Sequence, residues 1–128
     1  MVKDPSNVVQ EIAQTIYDKK GTNIIAIDVR GISSITDYVI IADGNVDRHV
    51  IALSNEVQNW MRNIGEKPVH IEGQQAGDWV VIDYFQIVIH LLLPEMRQKY
   101  QLERLWPDGK VIDLDLKLDL KNVKVSNE

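Results

Sequence analysis

The feature that most constrains the fold is the segment spanning residues 77–106, in which two strand-like stretches run directly into a short helix. Residues 79–84 are mostly β-branched or aromatic, and residues 87–93 form an apolar run that only His90 interrupts. Runs of this kind are typical of strands with apolar cover on both faces. Pro94 cannot donate to a strand ladder but suits the first turn of a helix, so the second strand should end there. The segment therefore predicts a hairpin that feeds a helix.

The remaining periodicity predicts two more helices and three more strands. Apolar residues at helical spacing predict one helix that begins at Pro5 and ends at Gly21, and a longer one over residues 47–64. Strands are predicted over residues 23–29, 38–42 and 68–72. The order is helix, two strands, helix, three strands, helix. This order predicts a single α/β (mixed α+β) domain with helices packed on a mixed sheet.

Composition excludes several classes of function. The chain of 128 residues has no cysteine, which excludes disulfides, thiolate zinc sites and cysteine nucleophiles. Its net charge of −5 argues against broad or sequence-specific nucleic acid binding, which depends on clustered Lys and Arg, and favours a basic protein partner. The N-terminal residues resemble neither a signal nor a transit segment, and no stretch approaches the roughly 18 apolar residues of a membrane span. We expect a cytoplasmic protein without membrane contact.

Residues 110–128 are predicted to form a C-terminal tail on a domain that spans residues 1–109. From Ile112 to Leu120, apolar residues occupy every even position and charged residues every odd position. This strict two-residue period predicts a strand with one wet face. Two interpretations remain open. The tail either covers an edge of its own sheet or adds as a strand to another partner or to a second copy, which would give a homodimer.

Three blocks of sequence carry a family resemblance. The first is SSITDYVIIADG at residues 33–44, the second is DRHV at 47–50, and the third comprises EG at 72–73, GDWVVIDY at 77–84, IVIH at 87–90 and LERLW at 102–106. In this order and spacing the blocks closely resemble the ribosomal silencing factor family, also called the Iojap or RsfS family. One position departs, because Phe85 stands where the family usually has Gly. A positive φ would be strained at Phe, so we expect this hairpin to turn differently.

The resemblance implies a fold, a partner and a mode of action. The implied fold is a five-stranded mixed sheet with packed helices, similar to nucleotidyltransferases. Family members repress translation by binding the large ribosomal subunit through a ribosomal protein on its intersubunit face, which sterically blocks joining of the small subunit. In organelles they are linked to large-subunit maturation. The residues that the resemblance nominates as partner contacts, or as supports of those contacts, are Trp79, Asp83, Tyr84, His90, Glu103, Arg104, Leu105 and Trp106.

Strand alternation predicts where such a contact surface would lie. Residues 79, 81 and 83 point to one side of their strand, and residues 80, 82 and 84 point to the other. If the side with Trp79 and Asp83 also carries Val88 and His90, it combines an aromatic anchor, aliphatic neighbours and an acceptor, as interface hot spots do. The alternative interpretation is structural. In that case a helix buries Trp79, and Asp83 closes the hairpin.

The similarity to nucleotidyltransferases raises the question of catalysis. Such enzymes need a Gly-Ser turn and two or three carboxylates that hold magnesium, and the chain has no Gly-Ser pair. A metal site at His70, Glu72 and His90 would require their two strands to be adjacent. We therefore expect no cofactor, no metal and no enzymatic activity. The alternatives are a nucleotide-transferring enzyme and a self-associating structural module. The carboxylates near strand ends that would have to converge in an enzyme are Asp28, Asp37, Asp43 and Asp83.

Overall fold

The computed structural model describes residues 4–118, which contain three α-helices, one 3-10 helix and six strands. No helix in this part of the chain is long and apolar enough to span a bilayer. The helices are α1 (Pro5–Asp18), α2 (Asp47–Asn63) and α3 (Pro94–Tyr100), with the 3-10 helix at Leu102–Leu105. The strands are β1 (Thr22–Asp28), β2 (Tyr38–Asp43), β3 (His70–Glu72), β4 (Trp79–Asp83), β5 (Ile87–Leu92) and β6 (Lys110–Val111).

The six strands form one mixed sheet in the order β3-β4-β5-β2-β1-β6. The pair β2–β5 is parallel, and the other neighbouring pairs are antiparallel. Parallel pairing needs a long crossover, which α2 and the β3–β4 hairpin supply. The mixture of hairpins and one parallel crossover that the element order predicted is therefore confirmed.

Helices cover both faces of this sheet. On one face α1 and α2 contribute Ile12 and Leu53 to the larger apolar cluster. On the other face α3 and the 3-10 helix contribute Met96 and Leu102 to a second cluster. Because it is covered on both faces and lies between two other strands, β2 has all six of its residues buried. This arrangement explains the apolar composition of the central strands.

The sheet has six strands, so the expected count of five is wrong. The additional strand is β6, whose two residues pair antiparallel with Ile27 and Asp28 of β1. A strand of two residues is too short to show a period in the sequence. Its position depends instead on the path that the chain takes after the 3-10 helix.

Beyond β6, residues 112–118 run beside α1 without joining a strand ladder. The strand predicted from Ile112 is therefore wrong for the described residues, and Leu120 lies outside them. The two-residue period does appear as alternating burial, because residues 112, 114 and 116 are half-buried and residues 113, 115 and 117 are exposed. The Ile112 N–H donates to the Ala26 carbonyl at 2.8 Å. This bond and β6 agree with the interpretation that the tail covers its own sheet edge.

The β4–β5 hairpin turns at Phe85, which has a φ of 75°. The Gln86 N–H donates to the Tyr84 carbonyl at 2.9 Å and closes a γ-turn. The Phe85 N–H donates to the Asp83 carboxylate at 2.7 Å. A γ-turn with positive φ is rare and strained for a residue that has a Cβ atom. The expectation that this hairpin would avoid positive φ is wrong, and the Asp83 carboxylate helps to hold the strained turn.

This strain predicts a stability difference between two variants of Phe85. The ring is 62% exposed, so Phe85→Ala and Phe85→Gly remove the same solvent-facing side chain. Only glycine also removes the strain, so Phe85→Gly should exceed Phe85→Ala in free energy of unfolding by about 1 kcal/mol. Urea denaturation of both variants measures the difference. Equal stabilities would contradict a strained turn.

Candidate functional site

Strands β4 and β5 bring predicted contact residues to one face of the sheet. Val81 lies opposite His90, and Asp83 lies opposite Val88. Directly paired residues of antiparallel strands share a face, so these side chains lie on the same side as Trp79. The shared face that strand alternation predicted is therefore present in the structure.

Trp79 lies within an aromatic cluster on this face. Its Nε1–H donates to His90 Nδ1 at 3.1 Å, and its ring centroid is 5.2 Å from that of Tyr100. The Trp106 ring lies 6.5 Å from the His90 ring. Tyr100 and Trp106 belong to the segment after β5, which folds back over the hairpin. The structural interpretation of Trp79 is thus partly correct, because the indole is half-buried against α3.

His90 is a neutral hydrogen-bond acceptor in this cluster. Burial lowers the pKa of its imidazole to about 4, well below its usual value. At neutral pH the ring is therefore uncharged, and Nδ1 can accept the indole proton from Trp79. The ring proton is then assigned to Nε2. This bond joins β5 to β4 on the candidate contact face.

A buried ion pair fixes the segment that covers this face. Arg97 of α3 donates to the Asp43 carboxylate at 2.7 Å and to the Asn23 carbonyl at 2.8 Å. Asp43 is almost fully buried and also accepts a bond from the Asn23 amide at 2.8 Å. The Arg97 Nε lies 3.3 Å from Glu103, an ion-pair contact without hydrogen-bond alignment. Arg97 therefore connects α3, the 3-10 helix and the end of β2.

Arg97 was not predicted as part of the site. The signal that could have found it is the order of elements, because Pro94 starts a helix directly after β5. A parallel neighbour of β5 would end beside that helix, and β2 does end there with Asp43. An arginine one turn into the helix can then reach the buried carboxylate.

The LERLW segment supplies the most accessible part of the face. Leu105 is 64% exposed, and Arg104 is also exposed. Glu103 and Trp106 are half-buried, the first beside Arg97 and the second near His90. Aromatic residues and Arg are enriched at protein contact surfaces, and this segment places Arg104 and Trp106 on either side of Leu105 in the sequence.

Tyr84 lies outside this surface. It is 4% exposed and packs in the cluster on the opposite face of the sheet. Its hydroxyl has no hydrogen-bond partner among the described residues, and burial raises its pKa to about 12. The structure therefore follows the strand alternation and gives Tyr84 no direct role as a contact. Tyr84 can support the surface only through the hairpin.

The candidate metal and carboxylate sites do not assemble. Strand β4 separates β3, which carries His70 and Glu72, from β5, which carries His90. Asp28 lies opposite Tyr38 and therefore near Asp37, whereas Asp43 lies at the other end of β2, so the four carboxylates do not all converge. Within residues 4–118, no group of three or more His, Asp or Glu side chains is placed to hold a metal ion.

Comparison with known proteins identifies the family. A family model described as "Ribosomal silencing factor during starvation" matches residues 2–128. The chain belongs to the ribosomal silencing factor (RsfS) family. The match extends beyond Trp106, where the recognisable motifs end, and includes the tail.

Individual relatives support this assignment. The chain is 37% identical to ribosomal silencing factor RsfS of Haemophilus influenzae over 99 residues, covering 77% of this chain and 97% of the relative. It is 33% identical to the Bacillus subtilis RsfS over 109 residues, covering 85% and 92%. A crystal structure of a Chromobacterium violaceum protein matches with a TM-score of 0.79 at 30% identity, covering 90% of this chain and 95% of the other. This RsfS chain and the solved Chromobacterium violaceum structure therefore share one fold.

The buried imidazole predicts that acid destabilises this RsfS chain. In the unfolded chain His90 takes up a proton near pH 6.5, whereas in the folded chain its pKa is about 4. The unfolded state therefore binds more protons between these values, so the stability is full above pH 6.5 and falls as the pH approaches 4. Between pH 7 and pH 5 the loss should reach up to about 2 kcal/mol.

The pH dependence of urea denaturation measures this loss. His90→Asn retains an acceptor for the Trp79 indole but does not titrate, so its stability should change less between pH 7 and pH 5. If the variant and the parent lose the same stability over this interval, another group is responsible.

The ion pair predicts a large difference between two arginines of the same segment. Arg97→Met leaves the buried Asp43 carboxylate without its cation and should lower the free energy of unfolding by about 3 kcal/mol. Arg104→Met is the matched control, because Arg104 is exposed, and should change it by less than about 0.5 kcal/mol. Thermal and urea unfolding compare the two. Similar effects would contradict the role given to Arg97.

Proposed function

We propose that this RsfS chain represses translation by occupying the large ribosomal subunit. It binds a basic ribosomal protein on the intersubunit face and sterically blocks joining of the small subunit. The observation that supports this most directly is the half-buried aromatic cluster around Trp79, whose member Trp106 directly follows the exposed Leu105 in the sequence. Interfaces are enriched in aromatic residues and Arg, and these residues carry most of the binding energy.

Charge supports a basic partner. The chain carries a net charge of −5, and Asp83 adds a half-buried carboxylate to this face, whereas the Glu103 carboxylate is paired with Arg97. Complementary charge speeds the encounter and fixes the orientation of the partners. Exposed charges are screened by salt, so binding should weaken as ionic strength rises. A preference for protein over nucleic acid follows, because acidic groups repel phosphate.

The proposed action makes and breaks no covalent bond. A standard interface of about 800 Å² per partner is enough for stable association, and a domain of this size can provide it. Repression then depends on what the bound protein covers on the subunit. We therefore propose a non-enzymatic cytoplasmic factor whose activity is occlusion.

A second candidate function is assistance in large-subunit assembly. A mouse relative named "Mitochondrial assembly of ribosomal large subunit protein 1" is 33% identical over 98 residues, covering 74% of this chain and 43% of the relative. Assembly and repression could use the same contact with the large subunit. They differ in the particle that is bound, which is a precursor in the first case and a mature subunit in the second.

The exposed leucine gives the sharpest test of the proposed surface. Leu105→Asp places a charge at the apolar contact and should weaken co-sedimentation with purified large subunits by roughly tenfold or more. In a joining assay with purified subunits, the unchanged protein at saturation should keep the subunits apart, whereas Leu105→Asp should permit joining at the same concentration. The side chain is 64% exposed, so the fold should tolerate the change.

Ile64→Asp is the matched control. Ile64 is 44% exposed and follows the last turn of α2, which packs on the opposite face of the sheet. This variant should bind and block joining like the unchanged protein. Equal binding by both variants would move the interface elsewhere, and free joining at saturating unchanged protein would overturn the proposed function itself.

A further inference from the structure

Two glutamines of α1 hold the main chain of residues 115 and 117. Gln10 donates its amide N–H to the Asp115 carbonyl at 2.8 Å and accepts the Asp115 N–H at 3.1 Å. Gln14 repeats the pattern with Lys117, at 2.7 Å and 2.9 Å. Each glutamine therefore pairs with both polar groups of one backbone residue.

The spacing of helix and extended chain makes this repetition possible. Residues four apart on an α-helix are separated by about 6 Å along its axis. Residues two apart on an extended chain are separated by about 6.6 Å. One glutamine per helical turn therefore stays in register with every second residue of an extended segment. Both glutamines bind main-chain atoms, so the pairing does not depend on which side chains stand at positions 115 and 117.

The apolar residues of the segment add a second element of recognition. Ile112 and Leu114 pack against the main apolar cluster, and the alternation of burial along residues 112–117 places these side chains inward. An extended peptide with apolar residues at alternate positions would satisfy both elements. This is the chemical class of ligand that the surface of α1 fits.

The attachment is local and open. The four glutamine bonds are exposed, and residues 113–118 join no strand ladder. A groove of about 410 Å³ beside them is lined by Gln10, Gln14 and the segment itself. Segments with few buried contacts and exposed hydrogen bonds open at a lower free energy than the core.

We propose that α1 carries a binding site for an extended peptide backbone, and that residues 113–118 of the same molecule occupy it as a releasable strap. Gln10 and Gln14 recognise its main chain, and its release uncovers this side of α1 while the sheet stays folded. In the structure, the site on α1 and the segment that occupies it belong to the same chain.

Amide hydrogen exchange of the full chain, followed residue by residue by NMR, tests this site. The N–H groups of Asp115 and Lys117 have glutamine acceptors, whereas those of Leu114 and Leu116 have none among the described residues. One hydrogen bond of ordinary strength slows exchange by roughly fivefold or more. Residues 114–117 should therefore alternate between fast and slow exchange. All four should exchange faster than the amides of β2.

Single substitutions assign the protection to each glutamine. Gln10→Ala should abolish the protection of Asp115, and Gln14→Ala that of Lys117, with the amides of β2 unchanged. Asn7→Ala, which also removes an amide from an exposed position of α1, should change neither. Lys117→Pro removes the donated N–H and should release the strap, whereas Lys117→Ala keeps it and should not.

Three outcomes would overturn the proposal. Uniform exchange across residues 114–117 would show that the glutamines do not hold the backbone. Loss of protection in β2 together with the strap would show that the segment opens only with the whole domain. Protection that appears only as protein concentration rises would assign the site to the strap of a second copy.

Discussion

The burial of β2 between β5 and β1 is the constraint on which the rest of the molecule depends. All six of its residues are buried, and its parallel register with β5 aligns Asp43 with Leu92. The chain leaves β5 at this point and enters α3. Arg97 lies one turn into that helix, next to the end of β2, and can pair with the buried Asp43 carboxylate. A different register would leave both charges buried without partners, which is strongly unfavourable. The segment that covers the candidate contact face is therefore oriented by the pairing of two central strands.

Much of the fold could be predicted from periodicity alone. The two long helices and the strands β1, β2, β4 and β5 extend over enough residues to show a period of 3.6 or 2, and Pro94 marks the start of α3. Periodicity did not predict β6, because a strand of two residues is too short to show a period. It also gave a strand for residues 112–118, because an extended segment packed on a helix buries alternate side chains just as a strand in a sheet does. The prediction that the turn at Phe85 would avoid a positive φ was wrong for another reason. Local bonds from its own hairpin, above all from Asp83, maintain a backbone conformation that its side chain disfavours.

The candidate site was predictable only where strand geometry applies. Alternation correctly placed Trp79 and Asp83 on one face and Tyr84 on the other, whereas family resemblance grouped all three together. Arg97 was not foreseen, because an arginine in a short helix is usually solvated and its burial arises from a contact distant in sequence. Which residues touch a partner is a matter of exposure. Exposure depends on how the segment after β5 folds back over the sheet.

The two ends of the sheet have a consequence for how copies of the chain behave when crowded. The outermost strands, β3 and β6, have three and two residues, although the sheet is six strands wide. An incoming strand finds only a brief row of free backbone groups at either margin, too few to compete with water for lasting attachment. Edge-to-edge addition of further strands, the first step towards fibrils, is thereby discouraged, and the charged side chains of Glu72 in β3 and Lys110 in β6 act in the same direction.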